Sequence, residues 1–241
     1  MKRLLPYLIP CCAFMACTDA KEVYGTEPRS IAVSGLFDIT DSLGYRPTAD
    51  QLLGQFHCEL YPKASLSFRM SAISNRVQNE YMKFSLAGTE PTGFSLGFTE
   101  DQERSKAILR FYAAVRKGVN DFYSQCDTSK PLDRSVCGRT ILNELKFLAE
   151  QKCDQATLVI ASDLRENDDF NTYAMDSIKP QEIEAWLDSI EPNLPVLNGI
   201  TALFVFTSRN QEEDKAFGAI VQGYKLFLEG KGAIVKIQAN L

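Results

Sequence analysis

Thr157-Leu158-Val159-Ile160-Ala161 runs straight into Ser162-Asp163, and the rest of the chain can be placed around that run. A strand wet on one face alternates apolar and polar residues, whereas a continuous apolar run of this length marks a strand covered on both faces. Two similar runs follow, at 203–206 and 233–237. Each is separated from the one before by a helical pattern. Pro180 suits a first helical position ahead of Ile183, Trp186, Leu187 and Ile190. Asn210 is a cap candidate with Glu213 three residues on, and Gly230 ends that helix. Strands separated by helices are joined by right-handed crossovers and run parallel.

Working back toward the N-terminus, residues 139–151 carry Ile141, Leu145 and Leu148 on one helical face. Residues 101–124 repeat Ile108, Phe111, Val115, Val119 and Phe122 at helical spacing. Leu66, Phe68, Met70 and Ala72 alternate with polar residues, as do Met82, Phe84 and Leu86. That pattern predicts two strands wet on one face, paired antiparallel toward a sheet edge. Residues 31–37 form another apolar strand, ending at Asp38, and 49–57 a short helix. The expected fold is therefore α/β: a doubly wound, mostly parallel six-stranded sheet with one antiparallel edge strand and helices on both faces. No internal repeat or low-complexity tract interrupts it.

The N-terminus carries a different signal. Lys2 and Arg3 precede an uncharged apolar run over residues 4–16, shorter than the roughly 20 residues needed to span a bilayer as a helix. It fits the apolar region of a signal peptide. Phe14-Met15-Ala16-Cys17 resembles the lipobox of bacterial lipoproteins, which implies cleavage before Cys17 and lipid on that cysteine. The expected layout is a signal peptide over 1–16, a lipidated cysteine and polar tether over 17–29, and one domain over 30–241. The expected location is the bacterial cell envelope.

Of the 26 basic side chains, two lie in the predicted signal, leaving 24 against 31 acidic ones and a formal charge of −7. Such a surface repels nucleic acid and anionic headgroups, and no basic stripe overrides it. Beyond Cys17 stand Cys58, Cys126, Cys137 and Cys153. In an oxidising compartment four cysteines permit two disulfides in three connectivities, Cys126 with Cys137 being the easiest closure; buried free thiols are the alternative.

In doubly wound sheets ligands bind beyond the carboxyl ends of the strands, where strand order reverses. Two acidic loops fall at such ends: Asp38-Ile39-Thr40-Asp41-Ser42 and Ser162-Asp163-Leu164. Together with the element order they resemble the von Willebrand factor A-type domain and its metal-ion-dependent adhesion site. The resemblance implies Asp38, Thr40 and Ser42 as a first ligand loop, Asp163 as a second acid, and Thr140 as a helix-start hydroxyl. Thr128, Ser129 and Ser135 lie in the same connection. The glycine often found after the second acid is replaced by Leu164. Mg²⁺ prefers six oxygens and keeps several waters, so two carboxylates and neutral hydroxyls would leave it room for an acidic group from a partner protein.

The rival chemistries lack parts. A haloacid-dehalogenase-type hydrolase needs an acid two residues after Asp38, where Thr40 stands. His57 is the only histidine, and it is expected next to a helix rather than at a strand's carboxyl end. Gly-rich phosphate loops are absent. Glu166, Asp168 and Asp169 read as a solvated loop, and Trp186 as core. The functional expectation is a lipid-anchored binding module that captures an envelope partner through a divalent-metal site. A metal-free scaffold, or a metal-dependent hydrolase on the same fold, are the alternatives.

Overall fold

A computed structural model describes residues 28–40, 45–76, 81–89, 97–126, 135–168, 170–175 and 177–241. The signal peptide, Cys17, the tether through residue 27, Ser42 and Asp169 lie outside the described residues. Six strands form one sheet: β1 (Ser30–Asp38), β2 (Ser65–Ile73), β3 (Tyr81–Leu86), β4 (Gln155–Ala161), β5 (Ile200–Val205) and β6 (Ile234–Gln238). Their spatial order is β3-β2-β1-β4-β5-β6. β3 alone runs antiparallel, with Phe68 opposite Phe84 and Met70 opposite Met82. The other neighbours pair parallel.

The two faces are filled by different helices. β1 sends Ala32 and Leu36 to one cluster and Ile31, Val33 and Phe37 to the other, as the two-residue period of a strand requires. On the second face lie α1 (Ala49–Gly54) and α2 (Gly97–Gln125), contributing Leu52, Leu53, Phe111, Val115 and Val119. On the first lie α3 (Cys137–Gln151), α4 (Pro180–Ile190) and α5 (Gln211–Gly230), contributing Ile141, Leu145, Ile183, Leu187, Ile220 and Tyr224. From β1 the chain winds outward to β2 over one face; from β4 it winds the opposite way, to β5 and β6, over the other. Right-handed crossovers leaving in opposite directions must use opposite faces. The strand order therefore reverses between β1 and β4.

Local signals set the helix boundaries. Thr48 and Gln51 form a reciprocal capping box at α1. Asn210 accepts the amides of Glu212 and Glu213 at α5. Pro180 opens α4, as expected. Gly223 lets α5 approach α4, since a Cβ there would stand 2.4 Å from Ile183 Cβ. Among the described residues no helix is long and apolar enough to cross a membrane.

The thiols of Cys58, Cys126, Cys137 and Cys153 are free. The expected Cys126–Cys137 bridge is not formed, because the two residues belong to opposite faces: Cys137 sits in the first cluster and Cys126 packs on the second. The sheet lies between them.

Candidate functional site at the switch point

β1 ends at Asp38, which is buried at 3 % exposure at the point where strand order reverses. Its Oδ1 accepts the amide of Thr40 at 2.8 Å and also the Thr40 hydroxyl. Its Oδ2 accepts the Ser162 hydroxyl at 2.8 Å. Ser162, the first residue past β4, accepts the Leu164 amide at 2.9 Å, and Cys137 Sγ lies 3.8 Å from its oxygen. Since the Ser162 proton goes to Asp38, the thiol is the donor in that last contact. Asp163 follows directly and accepts the Arg165 amide at 2.9 Å. Three expected residues (Asp38, Thr40 and Asp163) thus converge on the ends of adjacent strands, with Ser162 as the bridge.

Leu164 adopts φ +62°. This left-handed conformation is where glycine is cheapest and a side chain strains the backbone. The position after Asp163 is therefore a left-handed turn that a glycine would adopt without strain. Leucine holds it by burying its side chain in the first cluster.

Thr140 lies in the first turn of α3 and is buried. Its hydroxyl donates to the Val136 carbonyl, one turn back along α3, so the proton is committed inside the helix. The hydroxyl in this connection that is buried without a hydrogen-bond partner among the described residues is that of Ser135. Ser135 is 4 % exposed, and its carbonyl accepts the Asn167 amide from the loop carrying Asp163. A hydroxyl binds a cation through its oxygen lone pairs, so the Thr140 oxygen is still able to ligate, and Ser135 adds a second buried hydroxyl to the same connection.

Glu166 corrects the expectation of a solvated acidic loop. It is 2 % exposed, and its Oε2 accepts the Gly138 amide at 2.8 Å. The N-cap of α3 is Val136, which has no side-chain acceptor. Glu166 therefore caps α3 from another part of the chain, at the positive end of the helix dipole. Burial pushes its carboxyl up to about 8, against the opposing pull of the helix amides and Arg139. Oε1 has no hydrogen-bond partner among the described residues. The sequence signal was indirect: a helix opening on Ser135-Val136-Cys137-Gly138 has no cap of its own at Val136. Beneath this point Cys137 and Tyr224 are fully enclosed, and burial pushes both well up, so the thiol and phenol stay neutral.

His57 lies away from this end. It follows α1 on the way to the start of β2, with its side chain 57 % exposed and Glu59 3.7 Å away. Trp186 packs against the first cluster as expected, stacked on Phe170 at 4.9 Å.

The switch point offers carboxylate and hydroxyl oxygens, the donor chemistry Mg²⁺ prefers. Among the described residues no three His, Cys, Asp or Glu side chains group closely enough to hold an ion by themselves. A cation here would rest on Asp38 and Asp163 with hydroxyls and water. Comparison of the chain with protein-family models, with curated proteins and with solved structures returns no match.

Proposed function

We propose that the protein is a lipid-anchored module of the bacterial cell envelope that captures a partner protein through a von Willebrand A-type divalent-metal site. One observation carries the reading: Asp38 is tied through the Ser162 hydroxyl to the end of β4, beside Asp163, at the sheet's switch point. Asp38 and Thr40 supply one side of the site and Asp163 the other. Ser42, by the spacing of the motif, completes the first loop, and Thr140 supplies the helix-start hydroxyl, with Ser135 a second hydroxyl of the same connection. Mg²⁺ bound there would polarise a partner's carboxylate, while the chain's own residues orient the ion and keep it under-neutralised.

A metal-free scaffold is the second reading. It is favoured by the fact that both Asp38 oxygens already accept hydrogen bonds from protein groups. Thermal unfolding of the full chain in mild detergent across a Mg²⁺ titration separates the two. At about a hundred times its dissociation constant a ligand stabilises the folded state by roughly 2.7 kcal/mol. The expected result is a midpoint that rises with Mg²⁺ in the wild type and stays fixed in Asp163→Ala. A wild-type midpoint indifferent to Mg²⁺ sinks the metal reading and leaves the scaffold.

A further inference from the structure

Two residues past Asp163, the Arg165 guanidinium lies over the ring of Tyr173, 4.8 Å from its centroid. Arg165 is half-buried, while Tyr173 is 52 % exposed. Both are held by their backbones. The Arg165 amide is bonded to Asp163. The next residue, Glu166, is locked to Thr172: the Thr172 amide and hydroxyl both donate to the Glu166 carbonyl, and the Glu166 amide donates to the Thr172 hydroxyl. Tyr173 sits in the short 3₁₀ turn Thr172–Ala174, capped by Asn171, whose Oδ1 accepts the amides of Tyr173 and Ala174. The backbones that carry the ring and the arginine are therefore fixed locally, with the guanidinium resting over the ring.

Among the described residues Arg165 forms no ion pair, in a chain whose formal charge is −5. An arginine held over an aromatic ring, with no ion pair of its own among the described residues, has a planar fork of donors that suits a carboxylate bound by two parallel hydrogen bonds. Tyrosine and arginine are also enriched among the few residues that carry most of the energy of protein interfaces. Preorganisation lowers the ordering cost of using them.

We infer that Arg165 and Tyr173 form a carboxylate-reading arm on the rim of the switch-point site, and that the partner is a protein presenting an acidic side chain there. This rests on the binding-module reading and names the chemistry of its partner. Arg165 contacts the acid directly; Tyr173 is a positioning residue that holds the guanidinium over the rim.

The test uses the full chain in mild detergent and two fluorescein-labelled pools of acetylated pentapeptides with randomised flanks, one with Glu at the centre and one with Gln. Binding is read by fluorescence anisotropy, with Mg²⁺ and with chelator. The Glu pool is expected to bind about tenfold more tightly than the Gln pool. Arg165→Ala should bring the two pools to parity, Arg165→Lys should restore only part of the preference, and Tyr173→Ala should weaken it several-fold. A preference that persists unchanged in Arg165→Ala overturns the arm. Preference that needs Arg165 but not Mg²⁺ keeps the arm and removes the metal reading. Preference that needs Mg²⁺ but not Arg165 does the reverse. Binding of neither pool overturns both.

Discussion

Leu164 combines a strained backbone with a well-buried side chain, and the two have opposite signs on stability. The left-handed conformation costs roughly 1 kcal/mol relative to glycine. Removing a buried leucine side chain costs about 2–5 kcal/mol. Leu164→Gly should therefore destabilise the protein by about 2 kcal/mol, read as a lower denaturant midpoint; a neutral or stabilising result would show that burial does not hold this turn. Glu166 makes a pH-dependent contribution. Its carboxyl is raised to about 8 when folded, so between its ordinary value and 8 the folded state holds a proton that the unfolded chain has lost. The stabilisation is complete below the ordinary carboxyl range and fades as pH rises through 8, at no more than about 1.4 kcal/mol per pH unit. The wild-type melting temperature should fall from pH 6 to 9, and Glu166→Gln should flatten that slope while still accepting the Gly138 amide. Equal slopes in the two proteins would contradict this account.

At the scale of elements, α3 is the part whose placement builds the site. Its first turn touches Ser162 through Cys137 and Glu166 through Gly138, and Val136 donates to the Ser74 carbonyl just past β2. Gly138 is required by packing: a Cβ there would stand 2.2 Å from the Trp186 ring. Overpacking of this kind costs typically 1–3 kcal/mol, only partly offset by the better helix propensity of alanine. Gly138→Ala should lower stability by about 1 kcal/mol and shift the emission of Trp186, the only tryptophan. An unchanged emission spectrum would mean that the indole does not pack on this turn. Further along, α3 is held to the sheet by Glu144, which is 3.0 Å from Arg69 on β2 and accepts the Ser34 hydroxyl of β1 at 2.7 Å. Arg69 is sandwiched between the Tyr81 and Phe147 rings. Burial raises the Glu144 carboxyl despite the neighbouring guanidinium.

For the whole molecule, the sheet's carboxyl edge faces away from the end where β1 and β4 begin. There Asp154 accepts the amides of Arg29 and Ser30 and the Ser30 hydroxyl, joining the first described residues to β4. A chain entering the fold at that end approaches from the side opposite the switch point, which suits the proposed tether. Cys17→Ala should move the protein from the membrane fraction to the soluble fraction after cell lysis. Retention in the membrane fraction would remove the lipid anchor from the proposal.

Apolar runs, periodicity and local start and stop signals together determined the six strands, the five helices, their order and the antiparallel edge pair, because burial of one face or two leaves a direct mark on residue spacing. The acids at the ends of β1 and β4 were legible for the same reason, since they stand where apolar runs stop. What only the tertiary structure decided depends on side chains distant in sequence. Ser162 bridges Asp38 to β4, Glu166 caps α3 through the Gly138 amide 28 positions earlier, and Thr140 ties its hydroxyl to the Val136 carbonyl. Cys126 and Cys137 look close in sequence and end on opposite faces of the sheet. Spacing along the chain records which face a residue takes within its own element; it does not record which other element arrives to meet it.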